Sequence, residues 1–422
     1  MGQNNPRAST VGSTIELELE AMANGGSAMG WHDNRAVFVP YTIPGERVVA
    51  RIVEDRGRFA RAEGITLLDA SADRVFPRCP HFGPGKCGRC HWQHIDYAAQ
   101  LLLKQDVLAD QLARIAKLDD ANVQPVIRSP EQWGYNYHMT LLPAGEGSLG
   151  FPAADGRGVY PISECHILHP DLLALYSQLD LDFPGLRRLK LQLGSDGEAM
   201  LILSLDADDP PELALDLPVS VNVLLADNEP MNLIGDTHSR YTVGGVTFRV
   251  TAGSAFRPNV SQLPNLAAEV VRLLAPRDGE SVLDLYAGVG FFSAFLAPNA
   301  ELVTLVESYP PAATDADENL SAFENVDVVE GSVEEVLDSL ETRYDAAVVD
   351  PPSEGLTDAV ASGLAGAGVR RLVYVSGDAA ALAHDCKRLA QQGYRLVVAQ
   401  PIDLAPQTYY VDTVALFERI KG

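Results

Sequence analysis

The stretch Ser281-Val-Leu-Asp-Leu-Tyr-Ala-Gly-Val-Gly-Phe-Phe292 decides the fold. It reads as a strand that runs into a glycine-rich turn and then a helix. Gly288 and Gly290 leave the turn bare, so a ligand can approach the backbone at the helix N-terminus. The next strand ends at Glu307, about 20 residues on, where a carboxylate can hold ribose hydroxyls. From about residue 265 onward the chain keeps this rhythm. Strands are expected at 281–286, 301–306, 327–330, 345–350, 371–376, 395–400 and 411–418, with helices between most of them. That alternation predicts an α/β fold, doubly wound, with ligands at the carboxyl ends of the strands.

Such a turn suits a dinucleotide or S-adenosylmethionine (SAM). Two details favour SAM. Ser293 stands where a third glycine would be, and Asp284 lies in the strand just before the turn, as is common in SAM-dependent methyltransferases. Further on, Ala346-Ala-Val-Val-Asp350 leads into Pro351-Pro352, which puts a carboxylate and a stiff turn at the ligand end of the sheet. Methyltransferases acting on nucleobases often carry such a motif there. A nicotinamide- or flavin-dependent enzyme is the competing reading, disfavoured by the missing glycine and by Asp350-Pro-Pro.

Upstream, Cys79, Cys87 and Cys90 are bunched within twelve residues, and Cys165 follows far downstream. Four thiolates suit an iron–sulfur cluster or a structural zinc, and spacing does not choose between them. Residues 93–118 read as one amphipathic helix carrying Leu101, Leu108, Leu112 and Ile115. Before the cysteines, Ile15, Leu17 and Leu19 alternate with glutamates, and further short strands follow Asn24-Gly-Gly26 and Ile43-Pro-Gly45. This spacing predicts a small OB-like barrel. The expected division is a disordered tail at 1–12, a barrel at 13–72, a mixed α+β unit at 73–250 and the doubly wound unit at 251–422. The hairpin of residues 188–193 and 199–204 belongs to the third of these, and the Pro- and acid-rich stretch 208–218 reads as a surface loop.

The net charge of -25 seems to argue against a polyanion partner, but it is unevenly spread. Residues 1–130 hold 15 basic and 15 acidic residues; the remainder holds 17 and 42. A polyanion-binding face is therefore sought among Arg47, Arg51, Arg56, Arg58, Arg61, Arg74, Arg78, Lys86 and Arg89. No apolar run is long enough for a membrane helix, and the start of the sequence lacks a secretory pattern. A cytoplasmic monomer without membrane or DNA partners is expected.

Taken in order, these motifs resemble the bacterial SAM-dependent RNA uracil-5-methyltransferases. The barrel resembles a TRAM domain. The segment Cys79-Pro-His-Phe-Gly-Pro-Gly-Lys-Cys-Gly-Arg-Cys-His-Trp-Gln-His94, with Tyr97 and Gln100, looks like the family's iron–sulfur signature, and Ile162-Ser-Glu-Cys165 like its fourth ligand. Asp284 to Gly290, Asp350-Pro-Pro, Val373-Tyr-Val-Ser376, Pro406-Gln-Thr408 and Val411-Asp-Thr-Val414 occur in the family's order. The resemblance implies SAM held by Arg257, Tyr286, Gly288, Gly290, Glu307 and Asp350. It also implies a [4Fe–4S] cluster on Cys79, Cys87, Cys90 and Cys165, and a structured RNA, rRNA or tRNA, as partner.

The family's chemistry adds a thiolate to uracil C6, methylates C5 and then removes the C5 proton with a carboxylate. Here the sequence departs from the pattern. The nucleophile's place in Val-Ser-Cys-Asp/Asn-Pro is Gly377, and the base's place is Asp412 instead of glutamate. Phe-Gln-x-Asn reads Phe256-Arg257-Pro258-Asn259, and Asp-Pro-Pro-Arg ends at Ser353. Cys386, nine residues past Gly377 and about 13 Å along a helix axis, reads as a core cysteine. Two functions stay open: an RNA methyltransferase, and a non-catalytic RNA-binding or chaperone-like relative.

Overall fold

The computed structural model describes residues 11–145, 147–179, 185–206, 216–226, 228–340 and 342–420. The tail expected at 1–12 and the loop expected at 208–218 fall largely outside these residues.

Six strands, Thr14–Glu18, Ala21–Met22, Ala28–His32, Arg35–Val39, Arg47–Asp55 and Phe59–Asp69, form the first sheet. The alternation read in the sequence is realised directly: Ile15, Leu17 and Leu19 point inward, and Glu16 and Glu18 outward. Gly30 is where the sheet curls onto itself. A Cβ there would lie 2.0 Å from the Glu18 carbonyl oxygen, so no other residue fits without moving a strand. Trp92 and Ile95 plug the core of this sheet together with Ala99 and Val107.

The helix expected at 93–118 is shorter. It runs Tyr97–Gln111 and continues as a π-helical turn, Leu112–Ala116, before Lys117 turns left-handed. Asp96 sets the start by accepting a hydrogen bond from the Ala98 amide. Residues 92–95 instead form a turn closed by Ile95 N to the Trp92 carbonyl, and Ile95 bridges to Arg74.

The central sheet has seven strands, with the hairpin Leu186–Leu193 and Ala199–Leu205 near its middle. One face covers a core that includes Cys90 and Cys165.

The last sheet also has seven strands. From one edge these are Val326–Glu330, Leu302–Glu307, Ser281–Leu285, Ala346–Val349, Arg371–Ser376, Asp412–Arg419 and Tyr394–Ile402. The first five are parallel; Asp412–Arg419 runs antiparallel to both its neighbours. Separate apolar cores cover its two faces. That explains why Ala346–Val349 is buried at every position, as a doubly covered strand must be. The order reverses direction beside Ser281–Leu285, which places a crevice at the carboxyl ends of that strand and of Ala346–Val349.

Candidate active site

The turn after Ser281–Leu285 is held by three devices. Tyr286 adopts a left-handed backbone, φ +61°, unusual for a side chain of its size. Asp284, fully buried, accepts from both the Ser293 amide (3.0 Å) and the Ser293 hydroxyl (2.7 Å). The residue in place of a third glycine is therefore the anchor of the strand–helix junction. Gly290, φ +79°, begins the helix Phe291–Leu296 against Leu320, whose Cδ1 would lie 2.7 Å from an added Cβ. Gly288 is different: an added Cβ would meet nothing nearer than the Ala255 carbonyl at 3.9 Å. Its flank is open toward the crevice.

Glu307, at the end of the next strand, accepts from the Gly288 amide (2.8 Å) and the Tyr309 amide (2.7 Å). These bonds aim a carboxylate at the turn. Asp284 has its other oxygen, Oδ1, buried with no partner. Burial pushes its pKa up to about 7, with the Asp350 and Glu307 charges adding to the shift and the Ser293 bonds opposing it.

Four sequence-predicted residues meet beside this turn. Arg257 donates two hydrogen bonds to Asp350, 2.5 and 2.9 Å, and its Nε lies 3.4 Å from Asp412 Oδ1. Gly377 faces the same carboxylate: an added Cβ would sit 3.7 Å from Asp412 Oδ1. Burial alone would lower the Arg257 pKa, but the Asp350 and Asp412 carboxylates outweigh it and push it up. Asp412 is pushed up to about 6 by burial and by the Asp350 charge, while Arg257 and Lys104 oppose the shift.

Cys386 lies within the helix Ala379–Gln391, 5% exposed in the core, and burial pushes its thiol up to about 12. No thiolate from that side reaches Asp412. Its neighbour Asp385 has a use the sequence did not announce. It accepts from the Leu356 amide and the Tyr374 hydroxyl, pinning the loop after Asp350-Pro-Pro.

The largest omission of the sequence reading is the segment 403–410. Lys104 and Asp403, both fully buried, pair at 2.6 Å, and Tyr97 donates to the other Asp403 oxygen. Gln407, φ +68°, exchanges two hydrogen bonds with the Gln100 side chain, and its carbonyl accepts from the His91 and Trp92 amides. Tyr135 donates to the Pro406 carbonyl, and Asn259 to that of Leu404. One loop thus ties the cysteine segment, the helix Tyr97–Gln111 and the Arg257 segment to the strand that starts at Asp412. Gln100 and Pro406-Gln-Thr408 were visible in sequence as motif members; nothing in one chain showed that they bond to each other.

The four cysteines stand apart from this crevice. Cys79, Cys87, Cys90 and Cys165 all line one small cavity with Phe82, Gln93 and Phe151. Burial raises every one of these thiols, Cys165 to about 11; neighbouring thiols add to it, while backbone hydrogen bonds, the Gln93 bond to Cys90 and the Lys86 and Arg89 charges oppose it. Among the described residues no three His, Cys, Asp or Glu side chains gather as ligands of a single ion. No described helix is long and apolar enough to cross a membrane.

A small barrel, a central sheet with four thiols in the loops beside it and a doubly wound sheet with this crevice make up a modular methyltransferase architecture. The comparisons agree. The TRAM domain profile matches residues 8–65. An uncharacterized RNA methyltransferase of Streptomyces avermitilis is 33% identical over 428 residues, covering 97% of this chain and 99% of its own. The 23S rRNA (uracil(1939)-C(5))-methyltransferase RlmD of Shewanella sediminis is 29% identical, with 97% and 96% covered. In fold, the chain matches the Pyrococcus abyssi tRNA (uracil-54, C5)-methyltransferase, solved with S-adenosyl-L-homocysteine, at a TM-score of 0.73. That match has 22% identity and covers 96% of this chain and 100% of the other. The chain belongs to the SAM-dependent RNA (uracil-5-)-methyltransferase family.

Proposed function

We propose that this protein binds SAM and a structured RNA, rRNA or tRNA, in the cytoplasm, and that it does not methylate uracil C5 through a thiol adduct. The observation that carries this reading is Gly377, which has no side chain and stands where an added Cβ would meet Asp412 Oδ1 at 3.7 Å, an ordinary contact. Uracil C5 is too weak a nucleophile to take a methyl group unaided, so the family's route needs a thiolate at C6. Cys386 is too deeply buried to serve. Arg257 meanwhile holds both nearby carboxylates, Asp350 and Asp412.

The residues of the turn fit SAM. Gly288 leaves space, Glu307 is oriented toward it, and the buried Asp284 Oδ1 lacks a partner. SAM supplies an electrophilic methyl group; Glu307 would hold its ribose, and Tyr286 and Asp350 would flank it. The cysteine cavity is lined by four thiols, a donor set that suits a [4Fe–4S] cluster, together with His81, Glu164 and His166. Cys79, Cys87, Cys90 and Cys165 would hold such a cluster. Iron and acid-labile sulfide in anaerobically purified protein test this; a single zinc without sulfide would sink it.

The functional test is transfer of labelled methyl from SAM to unmodified RNA, with Gly377→Cys alongside. Silence from the native protein and transfer by the variant support the proposal; 5-methyluridine made by the native protein overturns it. Transfer to another atom would point to a target already nucleophilic. Silence from both with RNA binding intact favours the non-catalytic relative, in which the Arg257 clasp has closed the site.

A further inference from the structure

The sequence offered nine cations as a polyanion face, and the structure thins them. Arg47 pairs with Asp69 and Glu16, Arg51 with Glu63, Arg56 and Arg61 with Glu54, and Arg74 with the buried Glu46. Lys86 donates to the Pro80 carbonyl. Arg47, Arg51, Arg56 and Arg61 thus face acids at the surface of the barrel itself. Arg78 has no such partner among the described residues. Its guanidinium lies over the ring of Trp133, 5.4 Å from the centroid. Arg128, which the sequence did not single out, lies in the same way over Tyr97, at 5.7 Å, with no carboxylate pair among the described residues. Arg58 and Arg89 lack such a pair there too; what sets Arg78 and Arg128 apart is that each lies over an aromatic ring.

Arg128, Tyr97 and Trp133 line one cleft of about 400 Å³, within the roughly 300–1,000 Å³ typical of ligand sites; Arg78 is not in its lining and reaches it only through Trp133. The cleft is also lined by Phe76, Leu101 and Gln407, among others. Phe76 is 96% exposed, a ring that packs on nothing. Asp96 also lines the cleft, as the cap of the helix that starts at Tyr97; its one negative charge there stands against the Arg128 guanidinium in the lining and Arg78 beside Trp133. Gln407, at the back, lies five residues before Asp412.

We propose that this cleft docks an unpaired stretch of the RNA. One base stacks on Phe76 or Trp133, and the adjoining phosphates lie against Arg78 and Arg128. Aromatic faces beside arginines are how proteins hold single strands, since every base has a π-face and every linkage a charge. The inference rests on the reading that the protein acts on RNA and adds where, outside the crevice, that RNA is gripped.

The test is equilibrium binding of a labelled single-stranded RNA and of a matching duplex to the full chain over a salt series. Phe76 is so exposed that Phe76→Ala leaves the fold intact. It should weaken single-strand binding about 5- to 100-fold, the loss of one stack, and duplex binding far less. Arg78→Gln and Arg128→Gln should each flatten the slope of log affinity against log salt by about 0.7, one phosphate contact on a single strand. SAM binding of all three variants should equal the native value. Unchanged RNA binding by the variants overturns the cleft assignment and leaves the RNA reading standing. A native protein that binds no RNA overturns both. Equal losses for duplex and single strand overturn the stacking. A co-purifying protein lost in Phe76→Ala while RNA binding holds would assign the cleft to a protein partner instead.

Discussion

Gly377→Cys restores the one atom the family's chemistry lacks, and the structure says what the substitution costs. The backbone at Gly377 does not have a positive φ, and an added Cβ would meet Asp412 Oδ1 at an ordinary contact distance. Replacing a glycine at such a site stabilises by about 0.4–1 kcal/mol, through the unfolded chain. With an unfolding entropy of about 2.1 cal/mol/K per residue over 422 residues, that is a melting shift of about +1 °C at most. The variant should therefore fold as the native protein does. Its thiol would stand near a carboxylate, which disfavours the thiolate, and near the Arg257 guanidinium, which favours it. The assay is a gel-shift for a covalent complex with 5-fluorouridine RNA in the presence of SAM. The native protein and Gly377→Ser should give none, and Gly377→Cys a band that survives denaturation. A covalent band from the native protein would refute the reasoning, because another nucleophile must then reach C6. A fall of several degrees in melting temperature would refute the geometry, because position 377 would not be open.

Three further outcomes follow from the same contacts. The folded pKa of Asp284 is raised from 3.8 to about 7, so between these values the native state binds more protons than the unfolded chain. Its contribution is complete below about pH 4 and lost as pH rises through about 7; Asp284→Asn, which can still accept from Ser293, should flatten that part of the stability–pH curve measured by denaturant unfolding. Lys104→Met leaves Asp403 buried without its cation and should cost about 3–5 kcal/mol in the same measurement, with Asp403→Asn, Lys104→Met together recovering part of the loss. Gly288→Ala adds a methyl group to the open flank of the turn without a clash inside the protein, so calorimetry should show weakened SAM binding, with a fall in melting temperature from the strain of φ +56° alone. Gly290→Ala, at φ +79° and also striking Leu320, should lower the melting temperature further.

The doubly wound sheet was legible because its signals are local. A strand, a glycine turn and an acidic residue at the end of the next strand lie within 27 residues of one another. The barrel was legible for the same reason, its alternation being set residue by residue. The start of the long helix was not, because the apolar side chains of Trp92 and Ile95 continue the stripe while serving the core of the barrel. The pairing of the basic residues was not legible, because charge shows in sequence and pairing does not: Arg51 and Glu63 meet only after two strands fold together. The clasp of Arg257 on Asp350 and Asp412 joins residues 93 and 155 positions apart. The substitutions were visible singly; that three of them touch was not.

The loop 403–410 has a consequence for how this protein comes to be. Lys104 waits for a partner 299 positions later, and Gln100 for one 307 later. Contacts so distant along the chain close slowly, and a ribosome delivers the second member long after the first. Until then the barrel, the thiol segment and the Arg257 segment lack this shared tie, and a buried lysine lacks its counter-ion. The carboxylate of Asp412 arrives only nine residues after the Asp403 side chain that locks the modules. Assembly and completion of the site are therefore a single late event, so a half-made chain holds no finished crevice.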